Sequence, residues 1–155
     1  DLPGSKVVVG AGPALASLKE RHPDTHFLGS KEGEALAEVY SGSDVFVFPS
    51  RTDTFGIVLL EALASGLPVA AYPVTGPKDV LEDATEPVGV LDEDLRNACL
   101  KALELSPRAA RDFALRFSWR ECARQFLDNV LVAHDFGPVA RRFRLLRRRR
   151  LASLV

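Results

Sequence analysis

Short apolar runs recur along the first ninety residues and alternate with segments whose apolar residues recur at helical spacing. The runs predict strands at 6–9, 25–28, 45–48, 68–72 and 88–90. They are continuously apolar rather than alternating, which indicates strands covered on both faces, as in a parallel sheet between helices. The pattern therefore predicts an α/β fold: a Rossmann-like, doubly wound parallel sheet of about five strands with helices on both faces.

The segments between and after these runs predict helices. They cover about 14–21, 33–40, the stretch around Glu61, 92–104, 107–116 and 119–135. Ser118 and Glu121 have the spacing of a capping box, and Gly137-Pro138 predicts the end of the last helix. The sequence thus predicts one domain over residues 1–136, followed by a basic tail over 137–155.

Composition supports a soluble globular domain, with 46% hydrophobic and 26% charged residues and no apolar run of the ~20 residues that span a bilayer. The start of the chain does not resemble a signal peptide. Cys99 and Cys122 fall inside helical patterns and are interpreted as reduced core thiols. The histidines, at 22, 26 and 134, are not spaced as a metal site. These features predict a cytoplasmic protein.

Charge is distributed unevenly. Residues 141–150 contain seven arginines, whereas residues 1–140 carry 13 basic and 21 acidic side chains. This balance argues against nucleic-acid binding by the main domain, which would need a basic face. Three interpretations of the arginine segment stay open: a solvated end, a helix crossing to another domain, or a contact with anionic lipid in which Phe143, Leu145 and Leu146 insert. The last would place the protein at the inner face of a membrane.

Two acids mark the most informative stretch. Between residues 55 and 64 every position is apolar or small except Glu61, and Asp53 lies eight residues before it. A helix that is apolar all round is expected to lie deep against the sheet, where a carboxylate is costly unless it is paired or reaches a wet cleft. Glu61 could instead form a salt bridge or cap a loop, and Asp53 could be an ordinary helix N-cap.

The position of these acids relative to the sheet favours a ligand. Ligands of doubly wound sheets bind at the carboxyl ends of the strands, here the loops 10–13, 29–32, 49–56 and 73–79. Gly56 would let a ligand approach the backbone, and the first amides of the following helix would bind an anion. An anion site with an acid on either side suits a diphosphate flanked by hydroxyl groups, as in a nucleotide sugar.

The same stretch resembles the donor-binding signature of retaining GT-B glycosyltransferases of family 4 (group 1). Asp53, seven residues and Glu61 enclose Phe55-Gly56 and lead into LEALASGLPVAA at 60–71. Further similarity lies at 7–13, 27–30, 41–50 and 117–119, so that the resemblance extends over about residues 5–130. It implies that the chain is the C-terminal, nucleotide-sugar-binding half of a GT-B fold.

By position, the resemblance implies a set of donor-binding residues. Asp53 would bind the sugar hydroxyls, and Glu61 would bind the ribose. The diphosphate would be bound by the amides of Gly56, Ile57 and Val58, and Thr54 and Phe55 lie in the same loop. A weaker set would border the nucleotide: Gly12, Gly29, Ser30 and Lys31. One departure concerns Asp53, because the family usually has Glu there. The shorter side chain keeps the charge but should change sugar position or selectivity.

The resemblance also implies an activity: transfer, with retention of configuration, of a mannose- or glucose-type hexose from a nucleoside-diphosphate sugar to a lipid or glycan. It implies no cofactor and no essential metal, and a partner in the form of an N-terminal acceptor domain. Because KVVVG at 6–10 resembles the family's second strand, the first strand-helix unit is expected to be missing from mid-sheet. No catalytic residue is assigned, and the chain alone is expected to be inactive.

The sequence also bears on functions other than sugar transfer. Gly10 and Gly12 begin a dinucleotide-binding pattern, but Leu15 stands at its third glycine, and Gly29 and Ser30 rather than an acid end the next strand. A non-catalytic nucleotide-sugar-binding module stays open. So does a GT-B-type nucleotide-sugar epimerase, although it would need further acid-base groups and the four ligand loops contain no histidine.

Overall fold

The computed structural model describes residues 2–134, which form five strands and seven helices. In chain order they are β1 (Lys6–Val9), α1 (Leu15–Arg21), β2 (Thr25–Gly29), α2 (Gly33–Ser41), β3 (Phe46–Phe48), α3 (Ile57–Ala64), β4 (Val69–Ala71), α4 (Thr75–Leu81), β5 (Gly89–Leu91), α5 (Leu95–Ala102), α6 (Pro107–Ala114) and α7 (Trp119–His134). The arginine segment 141–150 lies outside the described residues, as does the predicted domain boundary at 136.

Every strand pair is parallel, and the predicted α/β class is confirmed. The strands are divided between two sheets, β1–β2 and β3–β4–β5, rather than joined in one. In the larger sheet Phe46, Val69 and Gly89 stand in register across the three strands. Within the described chain, β1 and β3 are therefore each paired along one edge.

The hydrophobic core lies around the three-stranded sheet. Leu59 and Leu63 of α3, Val69 of β4 and Val80 of α4 pack in one cluster with Phe113 of α6. On the other face, Ala98, Cys99 and Ala102 of α5 pack against β4. This two-sided cover agrees with the continuous apolar sequence of β4, whose three residues are fully buried.

The helix α4 was not predicted, because the segment 73–79 was assigned to a ligand loop. Gly76-Pro77 has the appearance of a turn, yet Pro77 lies in the first helical turn, where a missing amide hydrogen leaves no hydrogen bond unmade. The helices α5 and α6 begin at capping residues. Asp94 accepts hydrogen bonds from two backbone amides of α5, and Ser106 accepts one from Ala109.

The chain divides into two compact units, residues 1–115 and 116–155, and α7 belongs to the second. Ser118 accepts a hydrogen bond from the Glu121 amide at 3.1 Å, which confirms the N-terminal half of the predicted capping box. The prediction of two core thiols is wrong for Cys122, which is exposed, whereas Cys99 is buried and burial raises the pKa of its thiol. Among the described residues no helix is long and apolar enough to cross a membrane.

Candidate functional site

The connection between β3 and α3 turns through a left-handed residue. Gly56, the N-cap of α3, has φ 78° and ψ 63°. A Cβ there would lie 2.9 Å from the Cδ1 atom of buried Leu59, so that both backbone conformation and space require glycine. The first amides of an α-helix have no intrahelical acceptor, and no side chain caps those of α3. Ile57 and Val58, the first two residues of α3, are exposed.

Asp53 stands at the beginning of this connection and is exposed. Its Oδ1 atom accepts a hydrogen bond from the Phe55 amide at 3.3 Å, an Asx-type turn that fixes the side chain relative to the loop. It is therefore not the N-cap of α3, which is Gly56. Gly76 of α4 packs closely against this loop, because a Cβ at Gly76 would lie 3.1 Å from the Asp53 carbonyl oxygen.

The expectation that α3 lies deep on all sides, with Glu61 inside it, is wrong. Leu59, Ala62 and Leu63 are fully buried, but the face that carries Glu61 is exposed. The Tyr40 hydroxyl of α2 donates a hydrogen bond to the Glu61 carboxylate. Burial of the ring, and then the charge of Glu61, raise the pKa of this tyrosine. Glu61 is thus in contact with solvent, as predicted, but it reaches solvent because it lies on the exposed face of α3 and not because a cleft opens beside a buried helix.

The two acids therefore flank the same helix N-terminus. Glu61 lies five residues after Gly56, or roughly 8 Å along the helix axis. Within residues 2–134 neither acid forms an ion pair. The arrangement presents backbone amides between two solvated carboxylates. Chemically, it can accept an anion at the amides and hydroxyl groups at either acid.

The weaker nucleotide candidates occupy the other sheet. Gly12 follows β1, and Gly29, Ser30 and Lys31 end and follow β2. The Gly10 amide donates to the Gly29 carbonyl at 2.8 Å, which holds the two loops side by side. In the described part of the chain no hydrogen bond connects these residues to the 53–61 group. Asp53, Gly56 and Glu61 follow one another along the β3–α3 connection and α3, whereas the second set lies on the β1–β2 sheet.

Sequence analysis missed Arg51, which links three loops at the carboxyl ends of the larger sheet. Its guanidinium Cζ lies 3.7 Å from the centre of the Tyr72 ring, after β4, and its Nη1 lies 3.0 Å from an Oε2 atom of Glu93, after β5. Bonding to Glu93 is the main reason that the pKa of Arg51 is raised. The sequence did contain a signal for Arg51, because it is the basic residue of the predicted ligand loop 49–56.

A second polar group lies beside it, at the end of β5. The Asp92 carboxylate accepts hydrogen bonds from the Asp94 amide at 2.9 Å and from the Asn97 side chain, and these bonds lower the pKa of Asp92. Lys101 lies 3.9 Å away. These partners occupy the carboxylate, which makes it a structural anchor of the loop. Among residues 2–134 no group of three or more His, Cys, Asp or Glu side chains is placed to hold a metal ion.

Comparison with known proteins bears on the same residues. The family model described as "Glycosyl transferases group 1" matches residues 5–105, which include Asp53, Gly56 and Glu61. A GDP-mannose-dependent alpha-mannosyltransferase of Mycobacterium tuberculosis is 38% identical over 120 residues, 73% of this chain and 32% of the relative. Sulfoquinovosyl transferase SQD2 of Arabidopsis thaliana is 32% identical and covers 89% of this chain, again 32% of the relative.

Solved structures agree on the fold. The pneumococcal O-GlcNAc transferase GtfA, solved with UDP and GlcNAc, superposes with a TM-score of 0.62 at 22% identity over 81% of this chain and 29% of its own. The structural neighbours are GT-B glycosyltransferases, and the chain spans about a third of the length of the curated relatives, 32% in each case. The resemblance inferred from the Asp53–Glu61 stretch is confirmed, and the chain belongs to the group 1 glycosyl transferases.

Proposed function

We propose that residues 1–155 are the donor-binding half of a retaining glycosyltransferase that moves a mannose- or glucose-type hexose from a nucleoside-diphosphate sugar to a lipid or glycan. One observation carries this proposal: the open amides after Gly56 lie between two acids that have no ion-pair partner within residues 2–134. The relatives named for mannosyl and sulfoquinovosyl transfer, and the neighbour solved with UDP, support the choice of donor class.

In the proposed complex, each group has one task. The amides of Ile57 and Val58 bind the diphosphate, Asp53 binds hydroxyls of the sugar, and Glu61 binds the ribose. The Tyr40 hydroxyl orients Glu61 by donating to its carboxylate. During transfer, negative charge grows on the departing diphosphate. Oriented amides at a helix N-terminus stabilise that charge better than water does, because they need no reorganisation. No essential metal is proposed.

The proposal includes an acceptor domain and one further strand outside residues 1–155. The open edges of β1 and β3 support this, since an additional parallel strand between them would join the two sheets. The length of the relatives supports it as well. We expect this half to bind nucleoside diphosphates weakly and to transfer no sugar. The intact protein is proposed to work in the cytoplasm, peripherally at the inner face of the membrane, with the arginine segment 141–150 as its contact.

The donor site is tested by thermal shift and calorimetry with GDP, UDP and ADP and their sugars. The expected result is stabilisation by one base over the others. Glu61→Ala should remove that stabilisation, and Asp53→Asn should remove the difference between nucleotide and nucleotide sugar. Glu104→Ala, an exposed acid after α5, is the matched control. Equal shifts for Glu61→Ala and wild type would contradict the site.

A further inference from the structure

Gly76, in the first turn of α4, lies directly against the loop that carries Asp53. A Cβ at Gly76 would lie 3.1 Å from the Asp53 carbonyl oxygen and 3.3 Å from the Phe55 carbonyl oxygen. The third nearest atom, the Phe55 carbonyl carbon at 3.4 Å, belongs to the same loop. Gly76 and Pro77 are buried, whereas Asp53, Thr54 and Phe55 are exposed. The loop 53–55 therefore rests on α4 at a position that has no side chain.

The Asp53 carboxylate is tied to the backbone of the same loop. Its Oδ1 atom accepts a hydrogen bond from the Phe55 amide at 3.3 Å. In such an Asx-type turn the side chain follows the backbone two residues further on. A displacement of the loop 53–55 would therefore displace the carboxylate with it.

The amides that are proposed to bind the diphosphate are held by different contacts. Gly56 packs on Leu59, since a Cβ at Gly56 would lie 2.9 Å from the Cδ1 atom of this fully buried leucine. The Leu59 amide also donates a hydrogen bond to the Gly56 carbonyl at 2.9 Å. The start of α3 is thus anchored to its own core side, whereas Asp53 is anchored to α4. The distance between the acid and the amides depends on the residue at position 76.

We propose that Gly76 is a positioning residue of the donor site and that it sets selectivity for the donor sugar through Asp53. The inference rests on the proposed donor site and adds a residue that acts without a side chain of its own. Glycine at 76 keeps the loop 53–55 close to α4, and the Asp53 carboxylate is held at that depth.

A methyl group at position 76 should move the loop rather than the helix. The contact requires the neighbouring atoms to give way by a few tenths of an ångström. The loop is exposed and can yield, whereas α4 is held by the buried residues Pro77 and Val80. Alanine is also a better helix former than glycine, so that α4 itself should not be weakened. Because hydrogen bonds depend steeply on distance and angle, a shift of this size changes how well Asp53 meets the sugar hydroxyls.

Gly76→Ala tests this position, with Gly89→Ala as the matched control. A Cβ at Gly89 would lie 2.8 Å from the Cδ1 atom of Leu81, the last residue of α4. Both variants thus add one methyl group at an end of α4, but only the first contacts the Asp53 loop. In isotope-labelled protein, Gly76→Ala should shift the NMR signal of the Phe55 amide, and Gly89→Ala should leave it in place. This measurement needs no ligand.

Calorimetry then compares a nucleoside diphosphate with its nucleotide sugar, for the base that stabilises the wild type. Gly76→Ala should lower the affinity for the nucleotide sugar roughly tenfold, as expected when a hydrogen bond to a charged group is weakened. The affinity for the nucleotide alone should not change, because the amides after Gly56 keep their place. Gly89→Ala should leave the ratio of the two affinities as in the wild type.

A double-mutant cycle with Asp53→Asn tests whether the effect passes through the carboxylate. In the Asp53→Asn background, Gly76→Ala should lower the affinity for the nucleotide sugar much less than it does in the wild type. An equal loss in both backgrounds would mean that Gly76 acts by another route, and the proposal would be overturned.

Three further results would also overturn the proposal. Unfolding of Gly76→Ala would mean that the loop cannot yield and that the glycine serves packing alone. A shifted Phe55 signal with unchanged affinity for the nucleotide sugar would mean that the depth of the loop does not govern sugar binding. Absence of nucleotide binding by the wild type would contradict the donor site itself. That failure is distinguishable, because the Phe55 signal reports on the contact with Gly76 in either case.

Discussion

The two sheets have similar strand sequences and opposite surroundings. The three residues of β4 are fully buried between helices, whereas in β1 Val7 is 44% and Val8 is 39% exposed. An apolar strand sequence alone therefore does not determine how deeply the strand is buried. Burial depends on the helices that cover the sheet. The same difference divides the candidate site. Its residues on α3 belong to the packed part around the larger sheet, whereas its residues after β1 and β2 belong to the more exposed part. Four changes test this comparison.

The largest effect is expected from Leu63→Ala, compared with Val8→Ala. Leu63 is fully buried in the core cluster of the larger sheet, so that truncation leaves a cavity and should lower the free energy of unfolding by about 3 kcal/mol. Val8, on the exposed strand β1, should lose less than about 1 kcal/mol. Urea denaturation monitored by circular dichroism measures both. Equal losses would show that both sheets are supported alike.

The next effect concerns space around glycines. A Cβ at Gly89 of β5 would lie 2.8 Å from the Cδ1 atom of Leu81 and 2.9 Å from the Val69 carbonyl oxygen, whereas a Cβ at Gly12 would meet nothing within 4 Å. Gly89→Ala should therefore destabilise the chain by about 1–3 kcal/mol. Gly12→Ala should change the unfolding midpoint little. If Gly12→Ala destabilises the chain, the loop after β1 is packed more tightly than the exposure of β1 indicates, which would contradict the comparison.

Tyr40→Phe tests the contact that joins the two regions, since α2 follows β2 and packs on α3. Losing the hydrogen bond to Glu61 should cost about 1 kcal/mol at neutral pH. Because folding raises the pKa of Tyr40, the folded state keeps its proton longer. Its contribution is complete below the unfolded pKa of about 10 and is lost as pH rises through the folded value.

Thermal unfolding between neutral and strongly alkaline pH measures this contribution. The stability difference between wild type and Tyr40→Phe should shrink as the pH rises. Tyr72→Phe controls for tyrosine ionisation elsewhere, because no hydrogen bond of Tyr72 to Glu61 is present in the described chain. A constant difference at every pH would contradict the proposed pairing.

The smallest stability effect is expected for Arg51→Ala, since Arg51 and Glu93 are both exposed and solvent screens such pairs. Its effect on ligand binding should be larger, because Arg51 ties the Asp53 loop to the loops after β4 and β5. We expect nucleotide-sugar affinity to fall several-fold with little change in the unfolding midpoint. Arg108→Ala, which breaks an exposed pair on α6, is the control.

Sequence patterns predicted the strands and most helices because apolar period and caps are local properties. The N-caps of α5 and α6, Asp94 and Ser106, are local signals of this kind, although the prediction of these helices did not use them. The helix α4 escaped because Gly76-Pro77 has the local signature of a turn. Its glycine is needed for a contact with the Asp53 loop that no local pattern contains.

The candidate site was predictable in part for the same reason. The spacing of Asp53, Gly56 and Glu61 is visible along the chain, and the structure keeps the three on one connection. Tyr40 and Arg51 act through partners that are 21 and 42 residues away in sequence, Glu61 and Glu93. Long-range pairs of this kind depend on how the elements stack. The exposure of Glu61 depends in turn on what else covers α3.

The left-handed turn at Gly56 has a consequence for how such a site can diversify. A side chain there would be strained by its backbone and would strike Leu59, so that this position cannot be varied without remodelling the start of the helix. New specificity must arise instead from the neighbours on either side, whose side chains are free to change length and polarity. Gly56 must stay glycine, whereas the residues around it can be substituted. Asp53 is therefore the position at which a substitution can change specificity.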